Sequence, residues 1–331
     1  LHRLEGLFKR YGHPLPKQVM WDMLKRVDEL VARPVLRQMK RELLQEEVLH
    51  SDETPVTMRQ EGGKGTLTGY AWEWRSLRAI ETPKVLLEFK TSRGRDGPIR
   101  FLEDWSGTLI TDGYSGFDEV TRRNGIVRAG CWAHARRKVK KALDQGIRDA
   151  VDVMRPVQRL FWLERAIDRR VGRLGMDQAA HLALRQEIRA KRCVRVIERI
   201  YEMVDELLEK RSTLPKSLLG KALKYLSRQK RPLSVFLDDP RVPIHNNDTE
   251  RDLRHLAVGR KNWLVFGSQR GGDVACRLYS LVLSCKQAGV DPETYIEDLL
   301  GRISTTPASE IASLMPWAWA EARPSTAPAT A

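Results

Sequence analysis

Apolar residues recur at three- and four-residue spacing in the first part of the chain, which predicts helices from 1 to about 47. From 48 to 135 the pattern changes to short apolar runs and alternating positions, which are typical of strands. We predict strands at 49–56, 66–74, 85–89, 107–112 and 126–132, and a short helix at 99–105. Because three successive strands precede an alternation of helix and strand, the pattern predicts a mixed α/β sheet.

The strand pattern disappears between 136 and 231, where apolar residues at helical spacing lie among Lys and Arg. This segment is predicted to be a large, all-helical insertion. Residues 232–303 are predicted to return to the sheet unit, with Glu250 on a helix, a helix from about Val274 to Gln287, and a last helix capped by Asp291. The Ser-, Thr-, Ala- and Pro-rich segment 304–331 predicts a disordered tail.

The charge of the chain is concentrated in the same insertion. The 331 residues carry a net charge of +15, and segment 136–231 holds 26 Lys and Arg against 12 Asp and Glu. Such a concentration is typical of a phosphate-binding surface, although a solvated helical face has the same composition. We expect this insertion to supply most of the non-specific nucleic-acid affinity, with four candidate contacts: Arg189, Lys191, Arg192 and Arg195.

Several classes of protein are disfavoured by the sequence. No apolar run approaches the roughly 18 residues that cross a membrane, and no signal peptide is recognisable, so we predict a cytoplasmic protein without a membrane partner. The four cysteines are scattered without a CxxC pair, which disfavours a disulfide framework or a four-cysteine zinc site. The chain begins with Leu1 rather than Met, which predicts an N-terminally incomplete reading frame.

Three acidic residues lie in distinctive local contexts: Asp52 within a strand, Asp112 at the end of a strand and Glu250 at the start of a helix. Carboxylates are disfavoured in strands unless they are paired or bind metal, and sites gather at the carboxyl ends of strands. Each acid also has a structural alternative: a solvent-facing strand end, an Asp-Gly turn, and a capping box formed with Asn247. If the three converge, they predict a divalent-metal site, and in a basic protein the expected substrate is a nucleic-acid phosphodiester.

Basic residues follow the third acid. Four of them fit phosphate contacts beside a metal site, namely Arg251, Arg254, Arg260 and Lys261. Ion pairs with acids such as Asp252 are the alternative. Trp132 and Trp263 are expected in the core, and His134 is expected to be a packed, hydrogen-bonded side chain. No phosphate-cradling glycine loop of the P-loop type is present, so the sequence does not imply a nucleotide cofactor.

With their flanking residues, these acids resemble the DDE transposases of bacterial insertion sequences, in the group numbered sixty-six (transposase C type). The resemblance runs from about Phe8 to Ile303 and rests on six motifs: His50–Val56, Thr111–Tyr114, Gly130–Arg137, Asn246–Arg251, Gly259–Trp263 and Lys286–Pro292. In two respects the chain departs from the family. His245 stands where the family usually has Asp, and the family's N-terminal coiled segment with its zinc-finger-like module is absent.

The resemblance implies a ribonuclease-H-like core in which Asp52, Asp112 and Glu250 are catalytic and hold two Mg²⁺ (or Mn²⁺) ions. It implies cleavage that releases a 3′-hydroxyl, followed by attack of that hydroxyl on target DNA. The implied partner is double-stranded DNA, both transposon ends and target, and Arg136 and Arg137 join the four basic residues above as DNA contacts.

The resemblance further implies a homo-oligomer on DNA, accessory proteins of the element and a nucleoid-associated location in the bacterial cytoplasm. Two alternatives stay open. One is a nuclease or resolvase of the same fold that does not transfer strands, and the other is a non-catalytic DNA-binding remnant of a transposase.

Overall fold

A five-stranded mixed sheet is present in the computed structural model, which describes residues 1–78 and 82–323. Its strands are β1 (Val48–Arg59), β2 (Thr66–Ser76), β3 (Val85–Lys90), β4 (Thr108–Thr111) and β5 (Val127–Gly130). Their order is β3-β2-β1-β4-β5. β4 pairs in parallel with both β1 and β5, whereas β2 and β3 are antiparallel. The predicted mixed α/β class is therefore confirmed.

Three helices precede the sheet, as the apolar spacing predicts: α1 (His2–Arg10), α2 (Lys17–Val27) and α3 (Arg33–Leu43). A single π turn, Asp28–Ala32, joins α2 to α3. Pro34 follows this π turn within backbone that stays helical from α2 through α3. The proline has no backbone N–H to donate, and the π turn directly before it is the local departure from regular α-helix that accompanies it.

Helices also fill most of the chain between and after the later strands. Up to residue 234 they are α4 (Asp96–Leu102), α5 (Asp118–Arg123), α6 (Trp132–Asp144), α7 (Asp149–Leu174), α8 (Gln178–Ile188), α9 (Val194–Glu209), α10 (Leu218–Arg228) and α11 (Lys230–Ser234). The later helices are α12 (Asn247–Trp263), which carries Glu250, α13 (Gln269–Gln287), α14 (Pro292–Arg302) and α15 (Pro316–Ala322). The short helix predicted at 99–105 is α4, which begins and ends three residues earlier than predicted.

The C-terminal segment agrees with the prediction for Asp291 but differs from the predicted disorder of 304–331. Asp291 does cap α14, because its carboxylate accepts the N–H of Thr294 at 2.9 Å. However, the disorder predicted from 304 onward is wrong as far as 323, because a 3-10 helix (Ala308–Leu314) and α15 follow. Leu314 is buried, and its carbonyl accepts the Tyr295 hydroxyl at 2.7 Å. The rest of that prediction, 324–331, lies outside the described residues.

The described residues form two compact units. The first comprises Leu1–Glu46, Asp52–Gly97 and the described residues from Asp248 onward. In it, α12 and α13 pack on one face of the strands. The shared apolar core includes Val56, Met58, Val85, Leu87, Phe89, Leu253, Leu256 and Leu283.

The second unit comprises Glu47–Ser51 and Pro98–Asn247. Its short parallel pairing joins Val48–His50 to Thr108–Ile110, and β5 follows β4. The long helix α7 is amphipathic and buries one stripe, which includes Val153, Val157 and Leu160. Among the residues that the structure describes, no helix has both the length and the apolar character needed to cross a bilayer.

Candidate active site

Two of the three predicted carboxylates lie together in the first unit. Asp52 is in the middle of β1, Glu250 is in the first turn of α12, and both are half-buried. One carboxylate oxygen of each lies within 4.8 Å of the other. Asp52 is an even number of residues from Val56 and Met58, which pack against α12 in the core. Strand alternation therefore directs Asp52 toward the helix that carries Glu250.

The chemistry of these two side chains fits a divalent cation. Mg²⁺ binds oxygen ligands at about 2.0–2.1 Å, so two ligands of one ion lie up to roughly 4.2 Å apart. The separation of up to 4.8 Å between the Asp52 and Glu250 oxygens is compatible with that geometry after a small side-chain adjustment. Asp52 also accepts the backbone N–H of Glu53 at 2.9 Å, which orients its carboxylate.

The third predicted carboxylate, Asp112, belongs to the second unit and follows β4 directly. Its Oδ1 atom accepts the N–H of Tyr114 at 2.8 Å, and its carbonyl accepts Arg128 Nη2 at 2.8 Å. The local turn that competes with a functional interpretation is therefore present and uses one carboxylate oxygen. Position 113 requires glycine for a separate reason, because an added Cβ would lie 2.5 Å from the ring of Tyr225.

Asn246, a buried residue of the second unit, connects the chain before α12 to the chain before Asp52. Its Nδ2 donates to the Ser51 carbonyl at 3.0 Å, and its Oδ1 lies 2.6 Å from His50 Nδ1. Because an amide oxygen only accepts, His50 donates from Nδ1. The sequence motif contained Asn246, but nothing in it indicated these partners.

His245, the departure from the family pattern, packs inside the second unit. Its ring stacks on Phe161 with centroids 6.2 Å apart and an angle of 13° between the ring planes. The guanidinium of Arg136 also lies over this phenyl ring, 5.5 Å from the Phe161 centroid. Arg136 is exposed and Phe161 is half-buried. Arg136 is thus held at the surface by its aromatic neighbour.

His134 and Arg137 form a pair on α6. The Arg137 Nη2 atom lies 2.9 Å from His134 Nε2, and since guanidinium only donates, this nitrogen of His134 accepts. The accepting Nε2 places the proton of a neutral His134 on Nδ1. This agrees with the expected hydrogen-bonded histidine. Trp132 is likewise confirmed as a core residue, since it is fully buried and donates from Nε1 to the Leu233 carbonyl at 2.8 Å.

Of the basic residues predicted beside Glu250, three are exposed on α12: Arg251, Arg254 and Lys261. Arg251 approaches Asp248 at 3.3 Å, so the predicted ion-pair alternative holds for it with a different acid. Arg260 is half-buried and donates to the carbonyl of Pro55. Trp263 packs against the first core and stacks on Phe266 at 4.6 Å, as expected for a core residue.

The insertion requires a correction at Arg189, which was expected to contact nucleic acid. Arg189 is fully buried, and its guanidinium donates to both carboxylate oxygens of Glu164 at 2.8 Å. It also donates to the Phe236 and Val242 carbonyls, at 2.7 and 3.0 Å. These contacts occupy the guanidinium inside the second unit, so the expected role in binding is wrong. The other three candidates, Lys191, Arg192 and Arg195, are exposed.

A buried polar cluster in the first unit was missed from the sequence. Arg75 on β2 donates from Nη1 to Asp252 Oδ2 at 2.5 Å, and Gln287 Nε2 donates to Asp252 Oδ1 at 3.3 Å. Glu73, two residues before Arg75, is fully buried. Burial first, and the nearby Asp252 carboxylate second, raise the pKa of Glu73 well above its ordinary value. The signal available in the sequence was the alternation of two charged residues, Glu73 and Arg75, with Trp72 and Trp74 in β2.

Comparisons with known proteins identify the family. Residues 1–274 match the model described as the transposase IS66 family. The chain belongs to the IS66 transposase family. Residues 280–317 match the IS66 C-terminal element, which includes much of the ordered segment beyond α14. The family predicted from the sequence motifs is therefore confirmed, and membership in this DDE-type family implies the use of divalent metal.

Curated relatives come from Sinorhizobium fredii (strain NBRC 101917 / NGR234). Uncharacterized protein y4qI is 31% identical over 96% of this IS66-family chain and 59% of its own length. Uncharacterized protein y4hP is 29% identical over 98% of the chain and 60% of its own length. The corresponding values for y4jD are 28%, 96% and 62%. The chain thus spans about three-fifths of the length of these relatives.

Proposed function

We propose that this chain supplies the catalytic core of a DNA transposase, which cleaves DNA at the ends of an insertion sequence and joins them to target DNA. The proposed catalytic and metal-binding residues are Asp52, Asp112 and Glu250. The observation that carries the proposal is the approach of Asp52 to Glu250 within 4.8 Å, in a chain of the IS66 transposase family. Asp112 is included in this triad because of its position directly after β4.

The parallel register of β1 and β4 supports including Asp112. His50 pairs with Ile110, and Asp52 and Asp112 each lie two residues beyond a member of that pair. Each acid therefore lies on the carboxyl side of this parallel pairing, the side on which sites gather in open sheets. The strand order, with β4 next to β1, also supports the proposed ribonuclease-H-like core.

The proposed chemistry assigns distinct tasks to the side chains. Asp52, Asp112 and Glu250 would hold Mg²⁺ or Mn²⁺, which when bound activates water and stabilises the leaving oxygen of a phosphodiester. The proposed phosphate contacts on α12 are Arg251, Arg254, Arg260 and Lys261. Three of them are exposed, whereas Arg260 is half-buried and donates to the Pro55 carbonyl. The reaction needs no covalent protein nucleophile.

Double-stranded DNA is the proposed partner, bound by the basic insertion 136–231, whose first two residues, Arg136 and Arg137, are proposed contacts. We propose that the chain is divided into a helical segment 1–47, two parts of the core at 48–135 and 232–303, and the helical insertion 136–231 between them. Assembly as a homo-oligomer on DNA, accessory proteins of the element and a location at the bacterial nucleoid are parts of the same proposal.

The test uses DNA that carries the ends of the chain's own element, incubated with Mg²⁺ or Mn²⁺ and a target duplex. We expect cleaved ends and joined products, and we expect Asp52→Asn, Asp112→Asn and Glu250→Gln each to abolish both while DNA binding persists. Glu293→Gln is the matched control, because Glu293 is an exposed acid on α14.

Other outcomes of this assay would contradict the proposal in distinct ways. Cleavage without joining would indicate a nuclease or resolvase. Binding without metal-dependent cleavage would indicate a DNA-binding remnant. Cleavage that survives Asp52→Asn would remove Asp52 from the catalytic site.

A further inference from the structure

The buried pair formed by Arg75 and Asp252 links β2 to α12 in the first unit. Arg75 is fully buried and Asp252 is 2% exposed, and their hydrogen bond measures 2.5 Å. Arg75 is further fixed by donation from Nε to the Ser76 carbonyl at 3.2 Å. A second helix holds Asp252 from the other side, because Gln287 of α13 donates to its remaining oxygen.

Asp252 occupies the middle of the buried stripe of α12. The stripe consists of Thr249, Asp252, Leu253 and Leu256. Glu250 follows the first of these residues and lies at the flank of the stripe, where it is half-buried. At 100° per residue, a small roll of the helix about its axis would swing Glu250 away from β1 while the apolar residues stayed covered.

We propose that Arg75 and Asp252 are positioning residues, which set the rotation of α12 and thereby hold Glu250 beside Asp52. The inference rests on the proposed metal-binding function of those two acids. Neither Arg75 nor Asp252 needs to touch metal or DNA. Their role is directional, because a guanidinium–carboxylate hydrogen bond tolerates little rotation, whereas contacts of Leu253 and Leu256 tolerate more.

The neighbouring Glu73 supports this arrangement. It lies on the same face of β2 as Arg75, two residues away, and is fully buried. Burial raises the pKa of Glu73 well above its ordinary value, and the carboxylate that Arg75 contacts is that of Asp252. Buried ion pairs seldom add stability beyond what apolar residues of similar size provide. A conformational role is therefore the better explanation for this pair.

The test replaces the pair with apolar residues of similar volume, in Arg75→Met/Asp252→Leu. We expect thermal unfolding without metal to stay within about 5 °C of the parent, because such replacements are often neutral or stabilising. We expect Mn²⁺ affinity, measured by titration calorimetry or electron paramagnetic resonance, to fall at least about tenfold, as for other groups that orient ligands. Unchanged Mn²⁺ affinity in a folded double variant would overturn the inference.

A conservative variant distinguishes the effect of the position of α12 from the effect of the negative charge of Asp252. It also provides a test if the double variant does not fold. Asp252→Asn removes the negative charge but keeps one acceptor oxygen for Arg75, and its amide N–H₂ can donate to Gln287 Oε1 once the Gln287 amide turns over. If position matters, Mn²⁺ affinity stays within about threefold of the parent. If affinity falls as far as for Asp52→Asn, the field of the Asp252 carboxylate is what matters and the positioning role is wrong.

A metal-free measurement distinguishes failure of this inference from failure of the proposed function. Cysteines are introduced as Asp52→Cys and Glu250→Cys and joined by a short thiol-reactive crosslinker. The four native cysteines are buried, so they should react slowly. We expect crosslinking to be at least about tenfold slower in the Arg75→Met/Asp252→Leu background. Equal rates would overturn the positioning role, even if the parent protein bound no Mn²⁺.

Discussion

The Nδ1 atom of His50 donates to the Oδ1 atom of Asn246 across 2.6 Å, and both side chains are buried. The same amide donates to the Ser51 carbonyl at 3.0 Å. A single side chain thus satisfies a buried imidazole and a buried backbone group, immediately before the strand residue Asp52. Asn246 also lies directly before α12, which carries Glu250.

Asn246→Ala should destabilise the protein. The change leaves the His50 Nδ1–H and the Ser51 carbonyl without this partner, and each such buried group costs about 1–3 kcal/mol. Denaturant unfolding should therefore show a decrease in stability of about 2–4 kcal/mol, after partial hydration of the site. Asn262→Ala is the control, because Asn262 is exposed and should change stability by less than about 0.5 kcal/mol. Equal stabilities for the two variants would contradict the argument.

Divalent metal should stabilise the folded protein through Asp52 and Glu250. A ligand that binds only the native state at a hundred times its Kd adds about 2.7 kcal/mol. We expect Mn²⁺ to raise the melting temperature of the parent and of Glu293→Gln, but not of Asp52→Asn. In chelator, Asp52→Asn should melt at the same or a higher temperature, because it removes repulsion between two close carboxylates. A full metal shift in Asp52→Asn would show that the ion binds elsewhere.

The local pattern was sufficient to predict the strands and the locations of the acids. Alternating and short apolar runs predict all five strands; Asp52 lies in β1, Asp112 directly follows β4, and Glu250 lies in the first turn of α12. These features depend on residues close together in the chain. The family motifs then carried the functional hypothesis, because they place the acids in the right order.

Features that depend on distant partners were not predictable in the same way. Helical spacing alone did not show that Arg189 is enclosed by Glu164 and the carbonyls of a later loop. Nor did composition show that Leu314 packs on Tyr295, since a few apolar positions suffice to order a Ser- and Ala-rich segment. The Arg75–Asp252 pair joins residues far apart in the chain and belongs to the same class.

The exposed cations of the insertion should contribute to non-specific DNA binding. Charge reversal of Lys191, Arg192 and Arg195 to Glu should weaken binding to all duplexes alike. If roughly six phosphates are bound, log affinity falls against log salt with a slope of about −5, at ~0.9 per phosphate. The triple variant should flatten this slope by about one for each phosphate that the altered side chains no longer neutralise.

A matched control for this experiment reverses Lys9, Lys17 and Arg26, which are exposed in the N-terminal helices. Both triple variants change the net charge equally, so a difference between their salt slopes reports location rather than total charge. Identical slopes in the parent and the insertion variant would show that these three cations do not bind DNA. The insertion would then be a spacer or an oligomerisation surface.

Glu73 should make the protein less stable as pH rises. Its pKa is raised in the folded state by burial and by Asp252, whereas in the unfolded chain it returns to an ordinary value near 4.5. Below that value both states are protonated. Above it the unfolded state releases the proton first, so it binds fewer protons than the native state and stability falls as pH rises toward the folded pKa.

Glu73→Gln removes this titration while it keeps the shape of the side chain. The difference in unfolding free energy between variant and parent should grow in favour of the variant from about pH 4.5 upward, with a slope of up to about 1.4 kcal/mol per pH unit. Denaturant unfolding at pH 4.5, 6 and 8 measures this difference directly. Glu293→Gln serves as the control, because Glu293 is exposed and its replacement should leave the pH profile parallel to that of the parent. A constant difference between Glu73→Gln and the parent would show that Glu73 is already ionised in the folded protein, and the burial argument would be wrong.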